Sequence, residues 1–162
     1  MIVQIERKVF DSLPIGSVGH ACFAPMVPVY QEGMRQRNGQ EAHEYRTDFY
    51  KLLSQGQRAL FMFFTYYDHA IRSSDEFKRI SGHYLSAQIF QAVKKGVEYF
   101  NDNDMLHLFL RIEQTLLEKH QNEIFNLRMD ELYIQLCEIA PYTLTKIGAC
   151  IKEDPTEFIC FE

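Results

Sequence analysis

Between Ala59 and Ile71 the chain carries an apolar stripe too wide for a helix that keeps a full solvent face. Leu60, Phe63, Phe64, Tyr67 and Ile71 recur at steps of three and four, and Met62 and Tyr66 broaden the stripe. Only Thr65, Asp68 and Arg72 remain as a polar line, so the helix must be buried on more than one side. Its start is marked by Ser54-Gln55-Gly56-Gln57, a capping box in which the Ser54 hydroxyl accepts from the Gln57 backbone N–H while the Gln57 side chain reaches back. The segment therefore predicts the central helix of a helical bundle, with Phe63 facing its middle.

The rest of the chain repeats the pattern in shorter pieces. After the turn signal Asn38-Gly39, residues 40–53 place Tyr45, Phe49 and Leu52 or Leu53 at helical spacing. Ser73-Ser74-Asp75-Glu76 offers a second capping box, followed by Phe77, Ile80, Tyr84 and Leu85. A break near Gly82 to Ser86 leads to a stripe of Ile89, Val93, Val97 and Phe100, and the acids of Asn101–Asp104 cap a helix running through Met105, Leu108, Phe109, Ile112 and Leu116 to about Lys119. Leu132, Leu136 and Ile139 continue to Pro141, which is expected in the first turn of a last helix over 141–152 because its missing N–H costs little there. The expected architecture is all-α, one domain of about six helices. It divides into an irregular segment 1–39 crowded by Pro14, Gly16, Gly19, Pro25 and Pro28, a helical core 40–152 and a tail 153–162. Within the first segment, Ile2 to Ile5 reads equally as the start of a strand or of a short helix.

Composition supports a self-sufficient core. Of 162 residues 46% are hydrophobic, and 13 Phe and 9 Tyr with no Trp make the aromatics its main filling. The charge is uneven: residues 1–96 carry 12 Lys and Arg against 9 Asp and Glu, residues 97–162 carry 5 against 13, and the whole chain is at −5. A negative field repels phosphate backbones, so nucleic acid is not an expected partner, and the C-terminal acids read as the solvated faces of helices. Cys22, Cys137, Cys150 and Cys160 form no CxxC pair and are expected reduced and buried. The opening MIVQIERKVF sets charges where a leader needs an apolar run, and no stretch reaches the ~18 apolar residues of a membrane span, so a cytoplasmic chain without membrane contact is expected.

Chemistry-bearing residues are sparse. Histidines at 20, 43, 69, 83, 107 and 120 show no HxxxH, HExxH or ExxH spacing, so no metal and no other cofactor is expected. The chain lacks a GxSxG elbow, a Walker A loop and GxGxxG, and His20-Ala21-Cys22 is the nearest approach to a nucleophile with its base, which leaves no catalytic residue to assign. Three residues stand as ligand-binding candidates. Arg58 lies one turn inside the capped helix start, where its stem lies along the core and its guanidinium seeks a carboxylate or the carbonyls of a neighbouring helix end. His69 and His83 lie on helices joined by the short turn at 73–75, which could bring them together. The apolar tail residues Phe158, Ile159 and Phe161 are candidates for an interaction surface if the bundle does not cover them.

Leu53-Ser54-Gln55-Gly56-Gln57-Arg58-Ala59-Leu60-Phe61 and Ile151-Lys152-Glu153-Asp154-Pro155-Thr156-Glu157-Phe158 resemble the opening and closing segments of a bacterial all-helical domain family of unknown function that includes a DNA-mimic protein. The similarity spans residues 50–162. Where that family has an Asn-Gly-Gly-Phe stretch, this chain has Arg72–Phe77 and keeps only the Phe. The resemblance implies an all-α fold and a non-enzymatic role in binding another protein. DNA mimicry itself needs a denser array of acids than a net −5 supplies. The expected function is thus a regulatory or protein-binding module whose partner is another protein or a second copy of the chain. The alternative is an enzyme, or a small-ligand or metal-binding protein, with a pocket beside the central helix.

Overall fold

In the computed structural model, which describes residues 3–118 and 122–162, the chain runs β1 (Gln4–Ile5), α1 (Arg7–Ser12), α2 (Ile15–Phe23), α3 (Met26–Met34), α4 (Gly39–Leu52), α5 (Gln55–Ala70), α6 (Ser74–Ser86), α7 (Phe90–Tyr99), α8 (Asn103–Leu116), α9 (Glu123–Glu153), a 3-10 turn (Pro155–Glu157) and β2 (Cys160–Phe161). The all-α expectation holds, with more helices than six. Ile2, Lys119 and His120 lie outside the described residues.

The capping box at Ser54 forms as read. Ser54 Oγ accepts from the Gln57 N–H at 3.0 Å, and Gln57 Oε1 accepts from the Ser54 N–H at 3.2 Å. From there α5 packs against α2, α6 and α7, and Leu60, Phe63, Phe64 and Tyr66 are almost fully removed from solvent. The second box forms only by half. Ser73 Oγ accepts from the Glu76 N–H at 3.1 Å, but the Glu76 carboxylate is taken by Arg79, at 2.6 and 2.8 Å, and by His69, at 3.2 Å. The hydrogen bond from Arg79, and after it that from His69, holds the Glu76 carboxyl down at about 2.

Two expectations about proline are overturned. Residues 7–34 are not irregular: Pro14 and Pro25 immediately precede α2 and α3, and Pro28 is the third residue of α3. At these positions an absent N–H removes no helical hydrogen bond, so the prolines open helices instead of breaking them. Pro141, by contrast, does not open a helix. It lies exposed inside the continuous α9, where an interior proline costs about 3 kcal/mol. The helix persists because its buried stripe, Phe125, Met129, Leu132, Leu136, Ala140, Thr143, Ile147 and Ile151, keeps its steps of three and four straight through the proline.

The break after α6 comes later than Gly82. The helix runs through that glycine to Ser86, and the chain turns at Gln88, a non-glycine residue with φ of 59°. Ser86 caps nothing. It donates back to the Gly82 carbonyl at 2.9 Å. Asp102 does cap α8 as expected, accepting from the Met105 N–H at 3.3 Å. Buried at the same place, its carboxylate also takes the Thr143 hydroxyl at 2.6 Å and Lys146 Nζ at 3.0 Å from α9.

The tail is core. Phe158 and Ile159 are buried, and Phe161 is half-buried with its ring against Phe10 and beneath the Arg7 guanidinium. β2 pairs in parallel with β1, which resolves the open reading of residues 2–5 in favour of a strand at Gln4–Ile5. Phe158, Ile159 and Phe161 are therefore not an exposed interaction surface. They close the N-terminal end of α5. Gln57 Nε2 donates to the Phe158 carbonyl at 2.9 Å, the Gly56 N–H donates to the Glu157 carboxylate at 3.3 Å, and Ser54 Oγ donates to the Glu157 carbonyl. A Cβ at position 56 would stand 2.7 Å from the Phe158 ring, so the ring seats only on glycine. The two segments that carried the family resemblance thus meet 100 residues apart in sequence, as one structural joint.

Among the described residues no helix is long and apolar enough to cross a membrane. Of the four free thiols only Cys22 is buried. Cys150 is half-buried, and Cys137 and Cys160 are exposed, Cys160 because β2 is an edge strand of a two-stranded ribbon.

Candidate functional site

One face of α4 carries His43, Arg46, Thr47, Tyr50 and Lys51, at steps of three, one, three and one, with Tyr50 half-buried against the core and the others exposed. That spacing puts all five on one face. The face forms one wall of a cleft of about 570 Å³, closed by Arg58 of α5, His83 of α6, and Ala87 and Ile89 of the turn at Gln88. A second lobe of about 370 Å³ continues on the other side of Tyr50 and Arg58, which line both. It is walled by Gln55 and Ala59 from the start of α5 and by Ala92, Lys95, Gly96 and Tyr99 of α7.

Arg58 is the hinge of this arrangement. Its Nε donates to the Tyr50 carbonyl at 2.8 Å and its Nη2 to the Lys51 carbonyl at 3.2 Å, so the guanidinium caps the C-terminal end of α4, one of the two structural roles expected for it. Of its five N–H donors three remain free toward the cleft. Arg46 is held in the same manner, its Nε donating to the Ala42 carbonyl at 3.3 Å, which leaves four donors. Among the described residues neither arginine has a carboxylate partner, and neither has Lys95, whereas Lys51 is paired with Asp48 at 3.2 Å. No Asp or Glu lines either lobe. Tyr50 lines the same cleft, and burial pushes its phenol up to about 12 against the pull of Arg58, so the hydroxyl stays a donor at neutral pH. What the cleft offers is positive charge and N–H and O–H donors.

Arg58→Lys should lower the unfolding free energy by about 1 kcal/mol, because a single ammonium cannot reproduce a two-point cap. Urea unfolding measures it, and a change below about 0.5 kcal/mol would show that the cap contributes nothing.

The histidine expectation divides. His83 does line the cleft beside Arg58, but His69 lies in a different hollow, with Asp68 and Arg72, and its Nδ1 contacts Glu76. Seven residues of α6 separate Glu76 from His83, about 10 Å along the axis, so the antiparallel turn does not bring the imidazoles to one point. Nor do His20 and Cys22 form a reactive pair. His20 contacts Asp68 at 3.3 Å, while Cys22 is buried and its thiol is pushed up to about 12, the opposite of what a thiolate nucleophile requires. Among the described residues no three His, Cys, Asp or Glu side chains gather as a metal set.

Arg46, Tyr50 and Lys95 were not singled out from sequence, although the polar stripe of α4 and the basic balance of residues 1–96 were both legible. Compared with protein families, curated proteins and solved structures, the chain matches none.

Proposed function

We propose that this protein is a non-enzymatic binding module that captures a ligand through an anionic group in the cleft between α4, the start of α5 and the turn at Gln88. The observation that carries the reading is the pair of arginines, each tied to backbone carbonyls, each with free donors, both turned to one concavity without an acid in a chain of net −5. Cations fixed in this way need little reordering when an anion arrives, and a concave surface concentrates their field. The non-enzymatic binding role expected from the sequence is retained, but its object changes from another protein to an anionic ligand. The contact surface moves from the acidic C-terminal part or the tail to the cleft, and occupancy rather than turnover is the output.

Two or three charge-assisted hydrogen bonds contribute about 4–6 kcal/mol, equivalent to a dissociation constant between about 50 µM and 1 mM. Pyrophosphate at about 10 mM should therefore raise the melting temperature by about 3–8 °C over a sodium chloride control of equal ionic strength. Arg46→Ala, at an exposed position of that cleft, should remove most of the rise, because it leaves Arg58 alone to hold the anion. No rise in the natural chain, or an equal rise in the Arg46→Ala variant, would contradict the reading.

A further inference from the structure

We infer that the ligand is a phosphate ester with a flat apolar body, the size of a nucleoside monophosphate, its phosphate in the Arg46–Arg58 lobe and its ring in the lobe beside Tyr99. The inference rests on the anion-capturing reading and adds what the anion is attached to. A carboxylate brings a single charge to a lobe that presents two arginine forks without a carboxylate partner, Arg46 and Arg58. A phosphate monoester brings about −1.5 to −2 and three acceptor oxygens, which is the geometry that two guanidinium groups satisfy.

The second lobe differs in kind from the first. Its floor is backbone: α7 approaches α5 so closely at Gly96 that an added Cβ would lie 2.9 Å from the Ala59 carbonyl oxygen. The walls are Ala92 and the rings of Tyr50 and Tyr99, with Gln55, Arg58 and Lys95 as the polar part of the lining. The Tyr99 ring is fixed from behind by Phe100 and Phe158, with centroids 5.2 and 6.1 Å away. A small floor beside a packed ring suits a planar group, and the shared lining of Tyr50 and Arg58 sets the two lobes side by side, where one molecule can carry both body and charge.

Calorimetric titration with adenosine 5′-monophosphate, ribose 5-phosphate, adenosine and pyrophosphate tests this. The monophosphate should bind about tenfold more tightly than ribose 5-phosphate, the factor of one stacking contact, and at least about a thousandfold more tightly than adenosine, which lacks the phosphate and its charge-assisted hydrogen bonds. Tyr99→Ala should remove the advantage over ribose 5-phosphate while leaving pyrophosphate within twofold. Tyr99→Leu, which keeps apolar contact with Phe100 and Phe158 but lacks the flat ring, should do the same if the alanine variant fails to fold. Equal binding of ribose 5-phosphate and the monophosphate would overturn the inference and leave the anion reading standing. Adenosine binding as tightly as the monophosphate would also overturn it, and so would a 5′-phosphorylated oligonucleotide binding more tightly still, which would make the ligand a nucleic-acid end. If pyrophosphate and both esters all fail, the anion reading falls with it.

Discussion

Phe158→Ala should lower the unfolding free energy by about 3–5 kcal/mol, a large part of the ~5–15 kcal/mol that holds a domain of this size together. The ring is 1% exposed, stacks at 6.2 Å on Phe100, meets Tyr99 edge-on and lies on Gly56, so its removal opens a cavity where α5, α7 and the tail join. The backbone bond from Gln57 survives the substitution, so the loss reports on packing alone. Urea unfolding with an unchanged slope measures it, and a loss below about 1 kcal/mol would return the tail to the surface. Urea unfolding of a chain ending at Pro155 gives the complementary view. The shortened protein should be markedly less stable than the full chain, whereas equal stability would show that the tail contributes nothing to the fold.

Phe63→Ala should cost about as much, about 3–5 kcal/mol, for a different reason. Phe63 is fully buried at the middle of α5, stacked on Tyr67 at 5.3 Å and meeting Phe64 edge-on at 5.1 Å, and the helices around it leave little room to collapse. The same unfolding measurement applies, and a loss below about 1 kcal/mol would remove α5 from the centre of the molecule.

The central helix was legible because everything that makes it is local. Ser54 and Gln57 cap each other three residues apart, and the stripe from Leu60 to Ile71 needs no distant partner to show its period. Pro141 misled because a proline's local cost says nothing about the distant packing of Leu136 and Ile147 that outweighs it. Pro14 and Pro25 misled in the opposite direction: their spacing suggested broken chain, and only the flanking helices show them as starts. The tail could not be placed from sequence, since Phe158 finds Gly56 across 101 intervening residues and its own neighbourhood carries no sign of that contact. In the cleft, Arg58 and His83 were visible as candidates. Arg46 and Lys95 were not, because a charge on a helix face looks the same whether it faces open solvent or the hollow between three helices.

The most direct test of the account is a crystal structure grown with tungstate, an oxyanion whose metal atom is located by its anomalous scattering. The account predicts a peak within hydrogen-bond reach of both the Arg46 and Arg58 guanidinium groups, with its oxygens on their free N–H donors. Full occupancy elsewhere on the surface and none between those two arginines would contradict it.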